Sequence, residues 1–316
     1  MIHFRFHIIS LVAVFLALAV GIFLGSAVGE PAIVVGLRDQ IQRADKRSDA
    51  RRTENQRLRR ENGRLQSFVE DVSAFAVENR LTNAEVVIVA ERGLDDSPVD
   101  ATVDLVRAGG ASAQPLVWLE ARWALTEPDD VDTLAQLVDS GESDADEVRR
   151  DAFEALARRV GRPVSSTPAD TPDLLAALVD ADFVSIEGID DADVGSFPAG
   201  RAQAVVIDGP DGDVDDPDIF LQEVTAFTAR GVNTVAAEIA PDGVEPTGPE
   251  RGQTVAVVRG SSALEGRVST VDDLDLVDGR IAAVLALSLQ DATSPVVGDY
   301  GYGKGASRTV PEPQSP

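Results

Sequence analysis

Ile8–Val28 reads IISLVAVFLALAVGIFLGSAV, twenty-one residues without a charge, and the rest of the chain is attached to this run. At 1.5 Å per helical residue it spans about 30 Å, the thickness of a bilayer's hydrocarbon core. A helix on a soluble surface shows a polar face; here only Ser10 and Ser26 interrupt the apolar side chains. Ala27-Val28-Gly29 offers the small residues of a cleavage site. The run, however, exceeds the roughly 7–15 residues of a signal-peptide core, and Arg5 is the only firm charge before it. The reading is an uncleaved transmembrane anchor over residues 1–30.

Its second half carries Gly21, Gly25 and Gly29, two overlapping GxxxG repeats on one helix face. Without side chains there, two helices approach closely and gain van der Waals contact, the main attraction available in lipid. Glycine is also tolerated as filler in apolar helices, so the pattern gains weight only from the heptads that lie C-terminal to it.

From Leu37 to Asn79 the chain turns heptad-like, a coiled coil over residues 31–82. With Ile41 at a, the a series is Ile41, Ser48, Asn55, Asn62, Val69, Ala76, and the d series is Ala44, Arg51, Leu58, Leu65, Val72, Asn79. Ser48 and Arg51 make the first half a poor seam. From Asn55 to Val72 the pattern is stronger. Leu58 and Leu65 at d with Asn55 and Asn62 at a favour a parallel two-stranded coil, the paired amides fixing register at a cost in stability. A single helix packing its leucine stripe on the chain's own globular part is the other reading. A parallel homodimer above a small-residue transmembrane face makes the two signals one object.

Charge divides the remainder. Arg38–Arg64 holds ten Lys/Arg and five Asp/Glu, net +5, while Leu65 to the end holds seventeen against forty-eight, net −31. The distal part therefore repels nucleic acid, and the membrane-proximal part suits anionic headgroups. Cysteine is absent, which excludes disulfides, thiolate metal sites and a cysteine nucleophile.

Beyond Thr82-Asn83 short β-branched runs alternate with helical patterns. Ala84–Ala90, Gln114–Leu119, Phe183–Ile186, Ala204–Ile207, Val232–Ala236 and Thr254–Val258 read as strands. Pro98–Arg107, Asp129–Val138, Asp144–Val160, Asp170–Val179, Pro217–Arg230 and Ile281–Leu289 read as helices. The alternation predicts an α/β fold, a mostly parallel, Rossmann-like sheet domain over residues 83–292. From Thr293 onward Gly, Pro and Ser dominate, and a flexible tail over 293–316 is expected.

No catalytic or cofactor constellation emerges, and the chain is expected not to be an enzyme. Glu91-Arg92-Gly93-Leu94-Asp95-Asp96 after the first strand lacks the G-x-G-x-x-G turn. Gly298–Gly305 has the G-x-x-x-x-G-K part of a phosphate loop, but Gly305 stands where Ser or Thr would hold magnesium. The acidic stretches Asp208–Asp216 and Asp272–Asp275 read as solvated loops. His3 and His7, the only histidines, share a helix face and read as two residues at the membrane end, the alternative being a Cu(II) site shared with the amino terminus; they leave the globular part without histidine chemistry.

Three segments carry a resemblance: the opening FRFHIISLVAVFLALAVGIFLGS, Val268–Leu287 (VSTVDDLDLVDGRIAAVLAL) and Asp299–Ala306 (DYGYGKGA). Together with the juxtamembrane coil they resemble the actinobacterial MctB family, the mycobacterial copper transport protein B group. The resemblance implies an envelope protein linked to copper efflux or tolerance, an outer-membrane channel component with copper ion and envelope proteins as partners. It also implies a globular part outside the cytoplasmic membrane. The positive-inside rule taken literally sets Arg5 against Arg38, Arg43, Lys46 and Arg47 and points that part inward. A single span with two serines offers no ion pathway by itself, so a channel role requires oligomers or partners. The contrary expectation is a dimeric coiled-coil scaffold that docks partners in cell-wall remodelling or division.

Overall fold

The computed structural model describes residues 3–111, 115–160, 173–188, 202–214, 216–241, 243–291 and 294–312, with the side chains of 3–4 and 26–36 outside the description. The chain divides into two compact units, Met1–Gln66 and Ser67–Pro316. A helix α1, His3–Val77, contains the apolar run and the heptads as far as Ala76. Asn79, read as the last d position, lies beyond the helix with φ +60°, so the coil cannot run on to residue 82. Within it, Arg5–Gly25 is long and apolar enough to cross a membrane.

The second unit is built on seven strands in the order β3-β2-β1-β4-β5-β6-β7. They are β1 Glu85–Glu91, β2 Leu116–Leu119, β3 Val184–Glu187, β4 Ala202–Asp208, β5 Asn233–Glu238, β6 Ser269–Val271 and β7 Asp299–Tyr300. All neighbours pair parallel except β2 with β3, as the alternating pattern predicted for most of the sheet. Helices cover both faces, which is why β1 and β4 read as continuous apolar runs. Val87, Val89, Ala204 and Val206 enter the layer holding α3 (Pro128–Val138), α4 (Ala145–Val160), α5 (Leu174–Asp180) and α6 (Pro217–Ala229). Val86, Ile88, Ala90, Val205 and Ile207 enter the layer of α2 (Asp96–Ala108) and α8 (Val277–Gln290). Trp123 anchors the first layer, stacked on Phe153 at 4.3 Å, with its indole N–H donating to Phe183 O at 2.8 Å.

Local chemistry sets the helix starts. Asp95, Asp173 and Asp216 each accept a backbone N–H two residues ahead, capping α2, α5 and α6. α5 thus begins at Leu174, four residues later than the sequence pattern suggested; residues 170–172 lie outside the described residues.

The structure departs from expectation in the last third of the chain. Thr254–Val258 is not a strand but contains most of α7, Val255–Arg259. β5 pairs directly with β6, so this segment lies in the crossover a parallel pair needs, and the Glu238 carboxylate anchors its first turn. β6 and β7, three and two residues long, are too short to show a period. Within the tail expected to be flexible, the described residues 294–312 add β7 to the sheet and bury Tyr300; Thr293 and 313–316 lie outside the described residues.

Candidate functional site

In an open parallel sheet, ligands sit beyond the carboxyl ends of strands where the order reverses. Here that point lies between β1 and β4. Four adjacent strands end there in a carboxylate: Glu91 closes β1, Asp208 closes β4, Glu238 closes β5 and Asp272 follows β6. All four are buried, from 0 to 6% exposed. The sequence signal is an apolar run that stops on an acid, VIVAE, VVID, VAAE and STVD. Composition alone had hidden it, because acids abound everywhere after Leu65.

Each carboxylate meets donors from its own chain. Glu91 accepts from Val214 N–H through Oε1, and Asp208 accepts from Gly209 N–H at 2.5 Å. Asp213 N–H donates to Arg92 O at 2.7 Å. The loop 209–214 is thereby hung across the end of β1. A side chain at Gly212 would collide with the Glu91 carboxylate, so glycine permits this approach. Beneath the loop remains a cavity of about 10 Å³ lined by Glu91, Asp208, Trp123 and Glu223, room for one water. Glu223 reaches in from α6 with Oε1 lacking a hydrogen-bond partner. Burial, then the Glu91 charge, pushes its carboxyl up to about 8. Burial and a hydrogen bond with Glu91 push Asp208 well above its usual range.

Glu238 spends both oxygens on α7's start, accepting from Gly252 N–H at 2.7 Å and Val255 N–H at 3.0 Å. Asp272 accepts from Tyr302 and Gly303 N–H at 2.8 and 2.9 Å and from Arg259 Nη1 at 2.9 Å. Arg251 forks onto Asp275 at 2.6 and 2.9 Å. Tyr302 Oη donates to Asp278 at 2.6 Å, and that bond, with burial, pushes the phenol up to about 12. Asp273 is sealed with both oxygens unpartnered, and burial, then Asp278, pushes it up to about 8. The segments Val268–Leu287 and Asp299–Ala306 therefore meet in one place. Of the acidic stretches expected as solvated loops, Asp211, Asp213 and Asp216 are exposed, while Asp208 and Asp272 are buried acceptors and Asp273 is buried.

A row of acceptors attracts cations or N–H donors; here backbone amides and arginines fill much of it. Among the described residues no group of three or more His, Cys, Asp or Glu is arranged to hold a metal ion. The Gly298–Gly305 stretch wraps Asp272, so its resemblance to a phosphate loop reflects close backbone packing.

The residues singled out for helix packing and dimerisation all lie on α1, away from these carboxylates in sequence. A side chain built at Gly21 or Gly25 meets nothing within 4 Å, and Gly29 lies where side chains are outside the described residues. Asn55 and Asn62 are exposed, and Leu58 and Leu65 are 44 and 52% exposed.

One apolar helix long enough for a bilayer, followed by a mostly parallel-sheet domain whose β1 end is covered by its own loop, fits a membrane-anchored α/β protein. The profile of the family "Copper transport outer membrane protein, MctB" matches residues 1–311, and the chain belongs to that family. It is 28% identical to the copper transporter MctB of Mycobacterium tuberculosis and to that of Mycobacterium bovis, over 97% of this chain and 98% of theirs. It is 27% identical to the Mycobacterium leprae copper transporter MctB, over 99% of this chain and all of the relative.

Proposed function

We propose that this protein is a non-enzymatic, membrane-anchored component of copper export or tolerance in the cell envelope. It works as a parallel homodimer with its globular part outside the cytoplasmic membrane. The observation that carries the reading is the family match over nearly the whole length, anchor and domain together. The chemistry limits how copper is handled. There is no cysteine, Met1 is the only methionine and there are two histidines, so soft Cu(I) ligation within the domain is unsupported. One helix with two serines cannot conduct an ion alone, which assigns movement of copper to an oligomer or to envelope partners. The strand-end carboxylates are engaged with backbone and arginine, which supports a binding or scaffolding role over catalysis. The test is total cell copper in a deletion strain after copper challenge, with complementation. Excess copper restored to normal by the intact gene supports the proposal; unchanged copper overturns it.

The exposed Leu58/Leu65 stripe favours a second reading, a dimeric coiled-coil scaffold docking partners in wall remodelling or division. It predicts unchanged copper with altered septa or chaining in the same strain.

A further inference from the structure

The last turns of α1, from Ser67 to Val77, belong to the globular unit, and they are two-faced. Val77 is fully buried, and Val69, Val72 and Ser73 before it are half-buried. Phe68 is 62% and Phe75 76% exposed. At 100° per residue Phe68 lies about 180° around the helix from Val77, so the phenylalanines are on the side away from the core. Phe68 and Phe75 are seven residues apart, with Val72 between them at four and three. In the sequence the same spacing runs back to Leu65 and Leu58. Val69, an a position in the heptad reading, is therefore partly taken by the chain's own domain, while two g positions carry large apolar rings into solvent. Leaving two large aromatic rings in water forgoes the transfer free energy of burying them, so such a pair calls for a cover.

We propose that Phe68 and Phe75, with the part of Val72 that is left uncovered between them, form the domain end of the dimer seam, packed against the same residues of a second copy. The proposal rests on the parallel-dimer reading and adds where the seam runs. The seven-residue repeat selects the occupant. An identical parallel helix presents the same repeat at the same pitch, and a two-fold interface matches each residue with its own kind.

The natural chain has no cysteine, so single cysteines report cleanly. Full-length Leu58→Cys, Phe68→Cys, Phe75→Cys and Ser73→Cys variants, each in membranes, are oxidised with diamide and run without reductant. Phe68→Cys and Phe75→Cys are expected to shift from 33.4 kDa to about twice that mass, while Ser73→Cys stays monomeric. Cross-linking at Leu58→Cys without cross-linking at 68 and 75, or cross-linking at 73 in their place, overturns this seam and leaves the dimer standing. Cross-linking at 68 and 75 without 58 supports the seam and refutes the upper coil. Failure at every position overturns both. A Phe68→Asp/Phe75→Asp chain carrying Leu58→Cys is expected to lose most of its cross-linked band; an undiminished band counts against the Phe seam.

Discussion

Arg259 Nη1 donates to Asp272 Oδ2 at 2.9 Å, with the arginine side chain 7% and the aspartate 0% exposed. The same guanidinium donates to Tyr300 O at 2.9 Å and Lys304 O at 3.0 Å, joining β6, α7 and the segment after β7. Removing one member of a buried ion pair leaves the other uncompensated, at a cost of about 3–5 kcal/mol. Arg259→Ala is therefore expected to lower unfolding stability by that order. Arg107→Ala, which breaks an exposed pair with Asp104, is expected to stay within about 0.5 kcal/mol. Denaturant unfolding of the detergent-solubilised chain compares them, and equal small losses would refute the role given to Arg259.

Gly301 has φ +119°, and a side chain there would enter the Asp272 carboxylate. Gly301→Ala combines backbone strain with a collision that Asp272, held by three donors, cannot relieve. The expected result is release of the segment after β7, seen as faster amide exchange at residues 299–303 with β1 and β4 still protected. Unchanged exchange would show that the segment is not held through Asp272.

Glu223 and Asp273, ordinarily near 4.5 and 3.8, are each pushed up to about 8, and Asp208 moves the same way. The folded state therefore keeps protons that the unfolded chain has released between about pH 4 and pH 8. Stability from these groups is full below their unfolded pKa values, falls as pH rises through that window and levels off above it, by at most about 1.4 kcal/mol per pH unit per group. Glu223→Gln keeps the shape without the titration. Its gain over the native chain should grow from pH 5 to pH 8, measured by urea midpoints; a gain independent of pH would sink the assignment.

Tyr302 is held up to about 12, first by its bond to Asp278. Asp278→Asn removes the charge that opposes phenolate formation, so Tyr302 should titrate nearer 10. The chain has two tyrosines, and Tyr300, also raised, serves as the internal reference in an absorbance titration. An unmoved Tyr302 would mean that burial, not the aspartate, sets its value.

The sheet was legible because its central strands are buried on both faces and so spell continuous apolar runs, β1 and β4 above all. α7 was not, because Val255, Val257 and Val258 carry β-branched side chains whose preference is overridden by the Glu238 carboxylate at the helix start. β7 was hidden for a different reason. Gly301 and Gly303 look like linker residues in sequence, yet the fold uses them to bring backbone amides onto Asp272. The strand-end acids were hidden among the many acids after Leu65, and only the strand order shows that Glu91, Asp208, Glu238 and Asp272 are neighbours. The dimer residues were read from spacing alone. Spacing could not show that Val69 turns partly into the domain while Phe68 and Phe75 face out.

Asn55 and Asn62 are both exposed on α1, at positions the heptad reading places in the seam. Paired across a parallel dimer they would fix register and strand number while weakening the coil. Asn55→Ile/Asn62→Ile should therefore raise the thermal midpoint of the full-length dimer and broaden its oligomer distribution beyond two. Analytical ultracentrifugation in density-matched detergent reads the second effect and thermal circular dichroism the first. A lower midpoint with an unchanged distribution would place the asparagines outside the seam.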